Sequence, residues 1–292
     1  MFENRKPWAD KAFWWVAPIV IVAAAGGGAY YYFHSRENMA ENKVKTAPTA
    51  SAVSRQGPAI RHQLPGEGGV GPEPLPTLNE SDAPLRESLE RLFGDVAMQQ
   101  MLVPEDLVRH IVVTVDNLPR QKVAVEKRPL KAVPGQTAVV ESGDTVTLSE
   151  RNYARYAPIM RLVQGTDTRA LADLYIHFYP LFQKAYEDLG YPGQYFNDRL
   201  VEAIDDLLAA PELAGPVALV QPRVFYEFAD PKLEGRSAGQ KVLIRMGREN
   251  AAVVKAKLRE LRAAVTGGHA LPSAAAPQVG VGSAAGGQRN RL

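Results

Sequence analysis

Residues 166–190 read TDTRALADLYIHFYPLFQKAYEDLG, and this stretch decides the fold. Leu171, Leu174, Tyr175, Phe178, Leu181, Phe182, Tyr186 and Leu189 recur at steps of three and four, which puts them on one broad apolar face of a helix. Thr166 or Asp167 offers an oxygen to the unpaired N–H groups at its start, and Gly190 ends it. Working outward, the same pattern recurs. Tyr195–Leu208 predicts a second amphipathic helix. Upstream, Ser149 caps a helix carrying Tyr153, Tyr156, Ile159 and Leu162, in which Pro158 removes one hydrogen bond and forces a kink or restart. Earlier still, a helix starts at Ser81 or Asp82 and ends at Gly94, and another runs from Leu107 to Leu118 until Pro119 stops it. Downstream, Ser237 with Gln240 forms a capping box, and a last helix begins at Arg248 after Gly247.

Strand signals are fewer. TAVVESGDTVTLS at 137–149 alternates branched and polar residues about a Ser-Gly-Asp centre, which predicts a β-hairpin. VALVQ at 217–221 and RVFYEF at 223–228 read as two further extended pieces. The predicted class is mainly α with minor β (α+β): one helical domain over residues 77–265 that contains the hairpin and short strands, with no internal repeat.

Phe13 to Phe33 holds 21 residues without a charge, enough at roughly 1.5 Å per residue to cross a hydrocarbon core of roughly 30 Å. Trp14 and Trp15 at one end and Tyr30, Tyr31 and Tyr32 at the other belong at the two interfaces, so a retained single-pass anchor is favoured over a cleaved signal peptide. Arg5, Lys6 and Lys11 crowd the leading side, whereas Arg36, Lys43 and Lys45 are dispersed, which places residues 1–12 in the cytoplasm. The expectation is a bacterial inner-membrane protein with its carboxyl-terminal domain in the periplasm; the alternative is inverted topology with a cytoplasmic interaction domain. Residues 34–76 are Pro-, Gly- and Ala-rich and read as a linker, and 266–292 as a disordered tail.

Composition excludes several chemistries. Of 292 residues, none is cysteine, which removes thiolate metal sites and cysteine nucleophiles. Five scattered histidines and a formal net charge of +2 suggest neither a histidine metal site nor nucleic-acid binding, and no cofactor is expected. No phosphate loop, calcium loop or nucleophile elbow is present in the sequence.

Two groups of residues remain as candidates for binding. Asn197, Asp198 and Arg199 near a helix start, with Tyr191 and Tyr179, bring together an amide, a carboxylate, a guanidinium and two phenols. Capping and local pairing is the simpler account of the polar three. Tyr179 lies off the apolar line of its helix and is expected at the surface. Aromatic crowding between Tyr153 and Phe196 suits a carbohydrate or peptide platform, although helical spacing assigns most of these rings to the core. Asp198 or a neighbouring carboxylate is also the only candidate for an envelope hydrolase. Charge is segregated along the chain: residues 187–227 carry eight acids against Arg199 and Arg223, and residues 232–262 carry nine bases against three acids. Either neighbouring helices complement one another, or Lys241, Arg245, Arg248, Lys255, Arg259 and Arg262 face an anionic protein, lipid surface or cell-envelope polymer.

NYARYAP at 152–158, LYIHFYPLFQKAYEDLGYP at 174–192, YFNDRLVEAIDDLLAAPE at 195–212, LVQPRVFYEFADPKLE at 219–234 and SAGQKVLIRMG at 237–247 together resemble a bacterial membrane-anchored family known only as a domain of unknown function, of the DUF 3014 type. The resemblance implies an amino-terminal anchor, a linker and a mostly helical extracytoplasmic domain. It implies no activity. The function expected from the sequence is therefore a membrane-tethered binding or scaffold domain with a protein or cell-envelope polymer as partner.

Overall fold

Asp82 opens the first helix, α1 (Asp82–Phe93), yet its side chain caps a different one. Its two carboxylate oxygens accept from the backbone N–H groups of Asp106 and Leu107, each at 2.8 Å, at the start of α3 (Leu107–Asn117). Between them Gly94, at φ +88°, turns the chain into a short α2 (Asp95–Met101) that periodicity did not announce. In α3, Leu107, Val108, Ile111, Val112 and Val115 are buried as their spacing predicts, but so are Thr114, Asp116 and Asn117, because α3 is enclosed by α1 and by two later helices. This computed structural model describes residues 59–65, 75–122, 125–133 and 135–267. The Phe13–Phe33 span, residues 34–58 and 66–74 of the linker, and residues 268–292 of the tail lie outside them. Among the described residues no helix is long and apolar enough to cross a membrane.

Ser149 caps α4 (Glu150–Ala154) by accepting from the N–H of Arg151 at 3.2 Å. Pro158 then enforces a restart, and α5 (Ala157–Gly165) begins with that proline in its first turn, where the missing N–H is harmless. Asp167 caps the long α6 (Thr168–Asp188) through the N–H groups of Arg169 and Ala170. This helix runs through Pro180, and packing keeps it continuous: Phe178, Tyr179, Leu181 and Phe182 on either side of the proline are all buried. Next come α7 (Phe196–Leu208), a one-turn α8 (Pro231–Glu234), α9 (Ala238–Met246) and α10 (Arg248–Val265). α6 and α7 each lie against both α3 and α10 around the main apolar core.

The hairpin forms where expected, as β1 (Val139–Ser142) and β2 (Thr145–Leu148), with Gly143 at φ +56° in its turn. It is joined by β3 (Ala218–Val220) and the two-residue β4 (Glu227–Phe228) into one antiparallel sheet of order β1-β2-β3-β4. Register is set by Val146 opposite Leu219 and Leu219 opposite Phe228. Leu148, Val217, Leu219 and Phe228 cover Ile244 of α9 in a second, small core. The mainly α, minor β class is thus observed. Residues 59–65, within the stretch read as linker, lie on the helical layer and insert Leu64 into the main core at 4% exposure.

Candidate functional site

The fold turns Asn197, Asp198 and Arg199 largely inward. Asp198, 7% exposed, receives the backbone N–H of Arg61 at 3.1 Å on one oxygen and that of His62 at 2.7 Å on the other. Asn197, 1% exposed, accepts from the Tyr175 hydroxyl and donates to the carbonyls of His62 at 2.9 Å and Val265 at 3.1 Å. Together they hold residues 61–62 against α7. Neither caps its own helix. That task falls to Gln183 of α6, whose Oε1 accepts from the N–H of Phe196 at 2.8 Å while its Nε2 donates to the carbonyl of Gln194.

Arg199 reaches Asp116 on α3, donating through Nε at 3.1 Å to the carboxylate and through a second nitrogen to the Asp116 carbonyl. Arg120 donates to both oxygens of the same carboxylate at 3.0 and 2.8 Å, and the Tyr191 hydroxyl donates to it at 3.3 Å. Tyr191 stacks on Tyr186 with ring centroids 4.6 Å apart, and burial, with Asp116 adding to it, pushes the Tyr186 phenol up to about 12. Sequence reasoning missed Asp116. The signal was present: a carboxylate four residues after buried Val112 falls on the apolar stripe and must find cationic partners.

Tyr179 is a correction. It is 8% exposed, edge-on to Tyr175, with its hydroxyl on Gln183, because α6 is covered over a wider arc than the three-and-four line suggests. The five residues therefore divide among three places: Tyr191 and Arg199 on Asp116, Asn197 and Asp198 on residues 61–62, and Tyr179 in the core.

The basic stripe is not one face either. Lys255, 4% exposed, donates to the Ala210 carbonyl at 2.6 Å and pairs with Glu212. Arg262, 7% exposed, clasps both oxygens of Asp205 at 2.7 and 3.1 Å. Lys241 pairs with Glu234 at 2.8 Å, and Arg245 lies 4.4 Å over the ring of Phe228. Lys255–Glu212 and Arg262–Asp205 join the basic run to the acidic run, so charge complementarity between segments is realised here inside the domain. Only Arg248 and Arg259 of the six are exposed.

Arg248 borders a large groove of about 1220 Å³. Its walls are the end of β2, α4, α5, residues 211–217 and the α9–α10 junction. Two stretches quoted for the family resemblance meet there. The Asn152 amide donates to the Arg245 carbonyl at 2.9 Å, and the Tyr153 ring lies against Gly247, where an added Cβ would sit 2.7 Å from the ring. Gly247 also has φ +86°, so conformation and space both require glycine. Glu150, Arg151, Arg161, Arg248 and Glu249 line the groove, all exposed and none in an ion pair among the described residues. Among the described residues no three potential ligands gather to hold a metal ion. The arrangement presents charges of both signs around an apolar floor.

The fold and groove define a mostly helical α+β domain in which buried ionic pairs hold the helices and a mixed-charge groove opens beside the sheet. Residues 107–262, more than half of the chain, match the model of DUF3014, a protein family of unknown function, and the chain belongs to that family. No curated protein and no solved structure matches it.

Proposed function

We propose that this protein is a bacterial inner-membrane protein anchored through residues 13–33, whose domain stands in the periplasm and acts as a binding or scaffold module. Anchoring is supported by the 21 uncharged residues with aromatic rings at both ends. The binding reading rests on one observation: the large groove is bordered by Glu150, Arg151, Arg161, Arg248 and Glu249, whose side chains serve no ion pair among the described residues. Lys241, Lys255 and Arg262 of the basic run are engaged within the domain. Asp198, the carboxylate suggested for hydrolysis, already has both oxygens occupied by backbone N–H groups.

Topology is tested by fusing to residue 80 a reporter that matures only outside the cytoplasm. Activity supports the periplasmic placement, and silence with a cytoplasm-maturing reporter active in its place reverses it. Binding is tested by crosslinked capture from intact membranes, comparing the wild-type chain with a triple Arg151→Glu, Arg161→Glu, Arg248→Glu variant. Partners lost from the variant support the groove as the binding surface; an unchanged set removes it.

A further inference from the structure

The groove has a structured wall that the charge pattern does not describe. The last rung between β2 and β3 is the N–H of Leu148 donating to the Val217 carbonyl at 2.9 Å. Beyond it β2 ends, because Ser149 turns the chain into α4. Residues 211–217 nevertheless border the groove, with a bend at Gly215, and residues 212–215 make no backbone hydrogen bond among the described residues. Four residues with unpaired main-chain groups thus border a track that has lost its neighbouring strand. Unpaired backbone beside a sheet is the template to which an extended chain adds.

Buried Met160 and Leu243 supply apolar lining, together with Tyr153. Arg151, Arg248, Glu150 and Glu249 also line the groove, and the two signs do not pair with each other among the described residues. A polyanion would be repelled by the glutamates, and a polycation by the arginines. A chain that offers main-chain donors and acceptors, apolar side chains and both charges is a polypeptide.

Resting on the binding reading above, we propose that the groove binds an extended polypeptide segment of mixed charge, which pairs with residues 212–215 along the track that β2 vacates at Ser149. Main-chain pairing supplies affinity independent of sequence, while the arginines and glutamates select the charge pattern.

The test uses the full chain in detergent and, as probe, an array of N-acetylated degenerate peptides of about ten residues in mixed-charge, all-acidic and all-basic sets, with inorganic polyphosphate as a polyanion control. Mixed-charge peptides are expected to bind best. Ala214→Pro, at an exposed position, removes one main-chain donor and is expected to weaken all bound peptides about five- to tenfold, whatever their sequence. Arg151→Glu with Arg248→Glu is expected to shift selection toward basic peptides and leave the melting temperature within a few degrees of wild type. Absence of peptide binding, equal binding by the Ala214→Pro variant, or tighter binding of polyphosphate than of any peptide overturns the proposal. If membrane partners are captured through the wild-type groove while the peptide array fails, the binding reading survives and the polypeptide assignment falls. The array result does not depend on which side of the membrane the domain occupies.

Discussion

The interior ends of α3, α7 and α10 and the rim of the groove both carry arginines and carboxylates, and they use them in opposite ways. In the interior, Asp116 takes bonds from Arg120, Arg199 and Tyr191, and Arg262 clasps Asp205. On the rim, Arg151, Arg161, Arg248, Glu150 and Glu249 stand side by side without pairing. The rim acids have a local reason for their positions. Glu150 and Glu249 sit in the first turns of α4 and α10, where the helix dipole favours a negative charge without a cation. A polar cluster in a sequence is therefore ambiguous until its burial is known. Buried ions must be paired, and exposed ions are free to meet a partner.

The largest effect that sharpens this contrast is expected at Asp116. Asp116→Ala removes the carboxylate shared by Arg199, Arg120 and Tyr191, leaving the largely buried Arg199 guanidinium with Glu202 at 2.9 Å, and should lower unfolding free energy by about 3 kcal/mol in urea titration. A loss below 1 kcal/mol, on the order of a surface pair, would erase the distinction between the two regions. Asp198→Ala should cost about 1–3 kcal/mol, since two backbone donors lose their acceptor. It should also make residues 59–65 cleavable by protease under conditions that leave α6 intact; equal protection in both forms would contradict the clamp.

A smaller effect depends on pH. Burial holds His110 below its ordinary value of 6.5, with Asp106 opposing, and its Nδ1 has no hydrogen-bond partner among the described residues. A depressed folded-state value means the unfolded chain binds the proton more readily. The stability present above about pH 6.5 is therefore lost as the pH falls through the folded-state value. His110→Leu should flatten that acid-side decline in thermal melts recorded across the range, and an unchanged decline would assign it to other groups. The smallest effect is expected at the rim, where Arg248→Ala should alter stability by no more than about 0.5 kcal/mol. A larger loss would mean that the rim is part of the framework after all.

Local chemistry was readable in the sequence. Ser149 and Asp167 cap the helices they precede, Pro158 restarts one, Gly247 separates two, and the hairpin centres on Gly143. These signals lie within a few residues of their effect. What escaped depends on segments far apart in the chain. The capping box at Ser237 is only half made: Ser237 accepts from the N–H of Gln240, but the Gln240 amide turns to Asp206 instead. β3 and β4 are too short for alternation to reveal that they extend the hairpin into a sheet. Asn197 and Asp198 read as caps because sequence separation hid their partners at 61 and 62. The groove was invisible for the same reason, since Glu150, Arg161, Ala214 and Glu249 come from four separate stretches and share no motif.

The clamp at residues 61–64 has a mechanical consequence. A pull delivered from the amino-terminal side reaches Asp198, Asn197 and Leu64 before it reaches α1, and those contacts bear the load first. Their release would free residues 59–65 while the helical layer stays whole. Tension would then show itself as a discrete early lengthening, with α1 still seated.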